Sequence, residues 1–265
     1  MTPIQHHAAA EALLRAEATG QQIGLLSLTY PGMTLADAYA VQDALVAAKL
    51  AQGRRQIGWK IGLTSRAMQQ ALNITTPDSG VLLDDMLFAD GSVVPTGRFI
   101  QPRIEAEIAF VMARSLQGAE VTRADVLAAT EYVGPSLEIL DTRILRADPA
   151  TGQARVITDT VADNAANAGI VMGVQRHDPG MDLRWAGAIV KRDGVVEETG
   201  LGAGVLNDPA TGIVWLVHRL ATLGKGLSAG DIVLSGSFIR PIEATPGCRI
   251  EADFGGFGSV SVSFG

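Results

Sequence analysis

The amino-acid sequence predicts a protein of the α+β class, with helices near its beginning and a sheet-rich remainder. Residues 8–19 and 35–53 carry apolar residues at helical spacing, whereas most later segments are short runs that alternate apolar and polar residues. The 265 residues are 47% apolar and include 30 glycines, which indicates a large buried core and many tight turns. We therefore predict a helix-rich domain at residues 1–75 and a β-rich domain at residues 76–265.

Composition and charge exclude several classes of function. The formal net charge is −7, from 21 basic and 28 acidic residues, and no basic cluster is present, which argues against nucleic-acid binding. No apolar run has the length of a membrane span, and the first residues do not form a secretion signal. Cys248 is the only cysteine, so an intrachain disulfide is excluded, and we expect a cytoplasmic protein.

The helices of the first domain look structural. Residues 8–19 are rich in alanine, glutamate and leucine. Thr34 is suited to cap a second helix, with Asp37 at the third helical position, and Gly53 is suited to end it. We expect these helices to carry no chemistry.

A strand is predicted at residues 57–63, with Lys60 on the face that also carries Gly58 and Gly62. A lysine between two glycines would lie in a groove where a small ligand reaches the backbone. An edge-strand lysine that discourages aggregation explains the pattern equally well. The residues alone leave both interpretations open.

The segment after this strand is predicted to contain a short helix and a turn. Thr64 is suited to cap a helix that runs through Leu72. Residues 76–80, Thr-Pro-Asp-Ser-Gly, are typical of a turn or loop, which would end before the apolar residues 81–83.

Two glutamates share one face of a strand predicted at residues 103–112. Glu105 and Glu107 would lie on one face, while apolar residues from Ile104 to Met112 would form the other. Two carboxylates on one face repel each other and are costly to bury unpaired. A solvated surface strand with Arg103 nearby would satisfy them, and so would a divalent metal ion.

A third carboxylate favours the metal ion. Residues 135–141 read as another strand, in which Glu138 stands between Leu137 and Ile139 and is expected to be at least partly buried. A hard divalent cation takes several oxygen ligands, so three carboxylates from two strands would suit it.

The rest of the chain supplies structural elements and one long loop. A loop is expected at residues 146–161, long enough to have a function, and residues 163–169 are rich in small and amide side chains. P-loop, dinucleotide, nucleophile-elbow and histidine metal motifs are absent from the sequence. The remaining predictions are a helix from Thr122 to about Glu131, a hairpin at Asp193-Gly194, a helix opened by Asp208-Pro209, and strands at 232–234, 249–254 and 260–264.

Several segments taken together make the sequence resemble a known family, the 2-keto-4-pentenoate hydratase group of the fumarylacetoacetate hydrolase superfamily. The likeness runs from about Tyr30 to the end of the sequence, and the set is far more specific than any single motif. Its segments are Gly-Trp-Lys-Ile-Gly-Leu-Thr-Ser at 58–65, Pro-Arg-Ile-Glu-Ala-Glu at 102–107, Pro-Ser-Leu-Glu at 135–138, Asp-Asn-Ala-Ala-Asn-Ala-Gly at 163–169 and Phe-Gly-Ser-Val-Ser at 257–261.

This resemblance implies a mixed β-sheet roll and a carbon–oxygen lyase that uses Mg²⁺ or Mn²⁺. Within the group, the likeness at residues 82–86, 95–100, 148–149, 197–200 and 203–207 favours the addition of water to 2-oxohept-4-ene-1,7-dioate or its 2-hydroxy-dienoate tautomer, in the homoprotocatechuate branch of aromatic meta-cleavage catabolism. The family pattern departs at Ser79, where an aromatic residue is expected. The implied site residues are the metal ligands Glu105, Glu107 and Glu138, the catalytic Lys60 and Asp78, and the substrate-binding Leu83, Ser136 and Arg143.

The distal carboxylate of such a substrate needs a cationic partner, for which the sequence offers Arg143, Arg240 and Arg66 without choosing between them. The resemblance also implies a homo-oligomer built from pentamers, up to a decamer, and association with an aldolase or decarboxylase of the same pathway. Three alternatives stay open: a 4-oxalocrotonate-type decarboxylase, a hydratase of 2-hydroxypenta-2,4-dienoate, and an inactive scaffold subunit. Hydrolysis of a carbon–carbon bond is disfavoured because no histidine accompanies these motifs.

Overall fold

The computed structural model describes residues 1–71, 74 and 76–265, and within them the chain folds into helices and two β-sheets. The helices are α1 (Pro3–Thr19), α2 (Leu26–Thr29), α3 (Leu35–Ala51), α4 (Arg66–Ala71), α5 (Arg123–Ala129), α6 (Ile157–Ala162) and α7 (Pro209–Ala221). The strands are β1 (Gln56–Gly62), β2 (Asp78–Leu83), β3 (Leu87–Ala89), β4 (Val93–Val94), β5 (Arg103–Met112), β6 (Thr130–Leu140), β7 (Asn167–Met172), β8 (Gly187–Arg192), β9 (Val195–Leu201), β10 (Ile232–Leu234), β11 (Ile242–Glu243), β12 (Arg249–Asp253) and β13 (Ser259–Phe264).

The larger sheet is mixed and has the order β2-β1-β10-β5-β6-β7-β3, with β11 pairing onto the far end of β5. The longest strands, β5 and β6, pair antiparallel at its centre. β10 is only three residues long and separates β1 from β5 over part of their length. Beyond Leu234, where β10 ends, β1 and β5 have no strand between them, so this end of the sheet can hold a site.

The smaller sheet has the order β4-β13-β12-β8-β9 and shares the main core with the larger one. Ile250 and Val262 of the smaller sheet pack in one cluster with Ile108 and Phe110 of β5. These side chains are fully buried. The predicted apolar face of the 103–112 strand is therefore confirmed, and its other face is left for the glutamates.

The N-terminal helices form a second hydrophobic cluster, and α3 contacts β2 of the larger sheet. Thr34 caps α3 by accepting a hydrogen bond from the Asp37 backbone, as predicted. The buried Gln42 of α3 donates to the carbonyl oxygens of Ser79 and Val161, at 3.0 and 2.9 Å. The division at residue 75 stays a prediction; β1, on its N-terminal side, pairs with β2 and β10 of the larger sheet.

Several predicted elements need correction. Asp78, Ser79 and Gly80 are not in a loop, because they begin β2 and pair with β1. Local composition favours a turn there, but the ladder with β1 overrides it. The helix begun at Thr122 ends at Ala129, and β6 already includes Glu131.

Two other boundaries shift. The helix after β1 begins at Arg66, and its predicted end, Leu72, lies outside the described residues. The predicted 146–161 loop ends in α6, which begins at Ile157. Among the described helices, none is both long and apolar enough to cross a bilayer.

Candidate metal centre and active site

Three glutamates converge on the face of the larger sheet that lies away from the main core. The antiparallel register places Glu105 directly opposite Glu138, and Glu107 follows two residues later on the same face of β5. One carboxylate oxygen of each residue lies within 4.8 Å of the others. Glu107 and Glu138 are fully buried, whereas Glu105 is half-buried. The surface-strand explanation is wrong, because β5 has neighbours on both sides and is buried almost throughout.

The donor set of this cluster fits a divalent cation. Glu107 Oε2 accepts a hydrogen bond of 2.7 Å from the Gly236 backbone, but its Oε1 has no hydrogen-bond partner. Both carboxylate oxygens of Glu138 are buried without a hydrogen bond of good geometry. Buried carboxylate oxygens without partners are costly, and a hard cation bound by oxygen ligands would satisfy them.

Burial raises the pKa of every glutamate in the cluster, and the charges of neighbouring carboxylates add to it. Burial, followed by the charge of Glu138, raises the pKa of Glu105 from 4.5 to about 8. The same two causes raise the pKa of Glu107 well above its ordinary value, and burial raises that of Glu138. Three such carboxyls cannot all be ionised cheaply without a positive charge between them.

Lys60 supplies one positive charge to the cluster. Its Nζ lies 3.2 Å from Glu138 Oε1, and the side chain is buried. Burial acts to lower the pKa of Lys60, but the negative charges of Glu138, Asp78 and the other two glutamates outweigh it and raise the pKa. The edge-strand interpretation is wrong, because β1 lies between β2 and β10.

Asp78 enters the site next to Lys60, on the adjacent strand. It pairs with Gly62 at the end of the β1–β2 ladder and is buried. A Cβ at position 62 would lie 2.3 Å from Asp78 Oδ1, so only glycine leaves room for this carboxyl. Burial raises the pKa of Asp78, against the opposing charge of Lys60.

The three-residue length of β10 creates the opening to these side chains. Lys60 stands beside Leu234, the last residue of β10, and Leu234 stands beside Ala109 of β5. The chain then leaves the ladder, so the backbone N–H of Gly236 is free to donate to Glu107. Gly236 has a φ of 111°, and a Cβ there would lie 2.2 Å from Thr64 Oγ1.

A cavity of about 250 Å³ opens in front of the cluster. Its wall includes Lys60, Gly62, Leu63, Thr64, Ser65, Asp78, Glu105, Leu140, Arg155, Thr160, Ala165, Ala166, Ser237, Ile239, Arg240 and Pro241. A larger cavity of about 440 Å³ lies elsewhere, between residues 94–103 and 243–246, and contains none of the predicted catalytic or metal-binding residues.

A left-handed turn forms part of the cavity wall. Asn164, Ala165 and Ala166 have φ values of 51°, 53° and 59°, a conformation that costs about 1–2 kcal/mol per residue for L-amino acids. The Asn164 side chain accepts from the Val81 N–H at 2.8 Å and donates to the Val81 carbonyl at 2.9 Å. Asn167 Nδ2 donates to the same carbonyl at 3.1 Å. The amide-rich segment thus fixes the turn against β2, and small alanines face the cavity.

The predicted substrate-binding residues lie outside the cavity wall. Leu83 is packed in the main core. Ser136 is buried opposite Glu107 and donates its hydroxyl to the Glu107 carbonyl at 3.0 Å. Arg143 is buried in an ion pair with Asp163, and its other guanidinium nitrogens bond to the carbonyls of Asp163 and Asn167. Its guanidinium thus donates four hydrogen bonds within the protein.

The other two predicted arginines differ in position. Arg240 lies at the cavity rim, is largely exposed and forms an ion pair with Glu198. Arg66 is exposed at the start of α4 and is not among the residues that line the cavity.

The sequence prediction missed two parts of the site. Gly236 stands between two serines, directly after a strand. A glycine in this position is a sequence signal for an unusual backbone conformation. Arg155 lies in the loop predicted to be functional, but nothing local distinguishes it from the neighbouring Arg146.

The chain has close relatives along almost its whole length. It is 50% identical over 260 residues to a 2-oxo-hept-4-ene-1,7-dioate hydratase of Escherichia coli, covering 98% of this chain and 97% of that one. It is 40% identical over 265 residues to a 2-keto-4-pentenoate hydratase of Paraburkholderia xenovorans (strain LB400), covering 100% and 96%. No protein-family model matches the chain.

A solved structure is also similar to this chain along its whole length. The 4-oxalocrotonate decarboxylase from Pseudomonas putida G7, complexed with magnesium and adipate, superposes with a TM-score of 0.93 at 35% identity, covering 100% of this chain and 98% of that one. The chain belongs to the group of 2-keto-4-pentenoate hydratases and 4-oxalocrotonate decarboxylases. The predicted α+β fold of the fumarylacetoacetate hydrolase type is confirmed.

The left-handed turn yields a stability prediction. Asn164→Ala removes two hydrogen bonds to buried backbone groups of Val81 and should lower the free energy of unfolding by about 2–4 kcal/mol in urea titrations. Asn207→Ala is the matched control, because Asn207 also has a positive φ (71°) but is exposed and has no side-chain hydrogen bond among the described contacts. Equal losses in the two variants would contradict the role of the Asn164 side chain.

The raised carboxyl pKa values predict a pH dependence of stability. A folded-state pKa of about 8 for Glu105, above its ordinary 4.5, means that the metal-free protein loses stability as pH rises through that interval. A cation needs the ionised carboxylates, so its binding should release protons and offset this loss. The rise in melting temperature on adding Mg²⁺, measured by calorimetry, should be larger at pH 8 than at pH 6. A larger rise at pH 6 would contradict the prediction.

Proposed function

We propose that this chain is a divalent-metal-dependent hydro-lyase that hydrates 2-oxohept-4-ene-1,7-dioate to 4-hydroxy-2-oxoheptane-1,7-dioate. The 50% identity over 98% of the chain to a hydratase of this substrate carries the proposal. The cluster of three glutamates beside Lys60 supports it, since an α-keto acid is well suited to bind at a carboxylate-held cation. The reaction belongs to the breakdown of homoprotocatechuate after meta cleavage.

Glu105, Glu107 and Glu138 would hold Mg²⁺ or Mn²⁺, and the ion, when bound, supplies stabilisation for negative charge that develops on the 2-oxo oxygen. The related decarboxylase from Pseudomonas putida G7 was solved with magnesium, which supports the same choice of metal here. The Gly236 N–H holds Glu107 in place at 2.7 Å, so one ligand is oriented before any ion binds.

Lys60 and Asp78 would move and hold protons. The surrounding carboxylates keep the Lys60 ammonium protonated, so it acts as a fixed hydrogen-bond donor to the substrate rather than as a base. The buried Asp78 has a raised pKa and stands beside Lys60. It would take a proton from C3 and return it at C5, which moves the double bond into conjugation with the 2-oxo group. The hydroxyl of water then adds to C4 and its proton to C3.

Two rival activities use the same cluster. A decarboxylase of 2-oxo-3-enedioate would stabilise a carbanion in the same cavity, and the superposed structure is such an enzyme. A hydratase of 2-hydroxypenta-2,4-dienoate would need no partner for a distal carboxylate. The buried unpaired oxygens of Glu107 and Glu138 argue against an inactive scaffold, which would have no use for them.

The family resemblance extends the proposal to assembly and place in the cell. We expect a homo-oligomer built from pentamers, up to a decamer, that works in the cytoplasm. It would associate with an aldolase or decarboxylase of the same pathway, because such enzymes consume its product or supply its substrate.

Turnover across a series of substrates tests the function. The protein with Mg²⁺ should hydrate the seven-carbon 2-hydroxy-diene diacid at least about 10-fold faster, in kcat/KM, than the five-carbon 2-hydroxypenta-2,4-dienoate, because a distal carboxylate adds charged contacts. Release of CO₂ from 4-oxalocrotonate should stay at the background rate. A decarboxylase would show CO₂ release as its main reaction, and a short-chain hydratase would prefer the five-carbon acid.

Two substitutions separate the metal cluster from the proton-transfer groups. Glu107→Gln keeps the volume and the acceptor for Gly236 but removes one charge, so it should abolish Mg²⁺ binding in calorimetry together with turnover. Lys60→Met should keep Mg²⁺ binding, since it removes a repelling cation, while kcat falls by about 10²–10⁴-fold. Full activity of Glu107→Gln after chelation, or an unchanged rate for Lys60→Met, would refute the assigned roles.

A further inference from the structure

The cavity in front of the glutamates also carries positive charge in its wall. Three cationic side chains line the cavity: Lys60, Arg155 and Arg240. Lys60 is held among the carboxylates, at 3.2 Å from Glu138. Arg240 is paired with Glu198 and largely exposed at the rim. Arg155 is the third cationic side chain of the cavity wall.

Arg155 has no carboxylate partner among the described residues. Its guanidinium donates one hydrogen bond, from Nη1 to the hydroxyl of Thr142, and its backbone N–H bonds to the Arg146 carbonyl at 2.9 Å. The Thr142 hydroxyl is itself fixed by the Ile144 carbonyl. A guanidinium has five N–H donors, so most of the donors of Arg155 are left for a ligand.

The nearest acidic residues are already occupied by other groups. Asp163 pairs with Arg143 through both carboxylate oxygens. Asp159 accepts hydrogen bonds from the backbone and hydroxyl of Ser27, both at 2.8 Å. Burial lowers the pKa of Arg155 against the opposing charges of Asp163 and Asp159, and the positive charge of Arg143 also lowers it. An anion bound at Arg155 would relieve both effects.

Arg155 and Glu105 line the same cavity of about 250 Å³, so one ligand can contact both the metal cluster and this guanidinium. An extended seven-carbon chain, with C–C bonds of about 1.5 Å, is about 8 Å long. The wall also includes Leu140 and Ala166, which suits the methylene part of a substrate.

We infer that Arg155 is the residue that binds the distal carboxylate and selects diacids over monoacids, a role that rests on the proposed function. Thr142 is the positioning residue that holds its guanidinium toward the cavity. Arg143 cannot take this role, because the protein occupies its guanidinium. A forked guanidinium pairs with a carboxylate through two hydrogen bonds, which gives direction as well as charge.

Binding of saturated analogues tests this inference without turnover. Calorimetry with Mg²⁺ present would compare 2-oxoheptanedioate with 2-oxoheptanoate, which has the same head group and chain length but no distal carboxylate. Arg155→Gln should weaken binding of the diacid by about 10- to 100-fold and leave the affinity for the monoacid within twofold. The reason is that the loss of a charged hydrogen-bonded pair affects the diacid alone. Arg155→Lys should recover part of the loss, since it keeps the charge and loses the fork.

Arg240→Gln is the matched control, because it removes a cation from the rim of the same cavity and should leave the preference for the diacid unchanged. Equal weakening of both acids by Arg155→Gln, no weakening of either, or a diacid-specific loss in Arg240→Gln would overturn the inference. Retained binding of the monoacid shows that the variant is folded.

Failure of the proposed function has a different signature. A wild-type protein that binds 2-oxoheptanedioate through Arg155 but does not hydrate the unsaturated diacid would refute the hydratase and support the binding role. A wild-type protein that hydrates the five-carbon acid and binds both analogues equally would refute the role of Arg155.

Discussion

The mutual repulsion of three clustered carboxylates, two of them fully buried, is the constraint on which this structure depends. Glu105, Glu107 and Glu138 lie together because two adjacent strands place them on one face in direct register. Such a cluster is stable only with positive charge close by. Lys60 supplies part of that charge, and the remaining unpaired oxygens define a place for a divalent cation. The cluster therefore destabilises the metal-free fold, and the cation that we propose would offset this cost.

The larger sheet accommodates this cost by a break in its own ladder. β10 stops after Leu234. Its end leaves a gap between β1 and β5 and frees the Gly236 N–H for Glu107. The side chains of Asp78 and Thr64 lie so close to Gly62 and Gly236, respectively, that neither position has room for a side chain. The left-handed turn at 164–166 closes the cavity with alanines, and Asn164 holds that turn against β2. Strained or interrupted backbone thus surrounds the chemistry, while the regular core lies on the other face.

Particular residues show where sequence reasoning reached its limit. The strands of the glutamates follow from their alternating pattern, and the family follows from the motifs around them. Asp78 was predicted in the site but in a loop, because a Pro-Asp-Ser-Gly segment is locally typical of a turn and only its pairing with β1 makes it a strand. The charge of Asp163 acts on both Arg143 and Arg155. Arg143 is nevertheless buried in an ion pair with Asp163, whereas Arg155 lines the cavity.

The sequence by itself determined the class of fold, the family and the face on which each carboxylate stands, because a strand's alternation is a local property of the backbone. Only the tertiary structure decided which strands are neighbours, that Lys60 is interior, and which cavity-lining arginine lacks a carboxylate partner among the described residues. These depend on contacts between residues far apart in the chain, such as Lys60 with Glu138 and Thr142 with Arg155. Packing fixes which side chain lies next to a given lysine or arginine, and composition alone does not specify it.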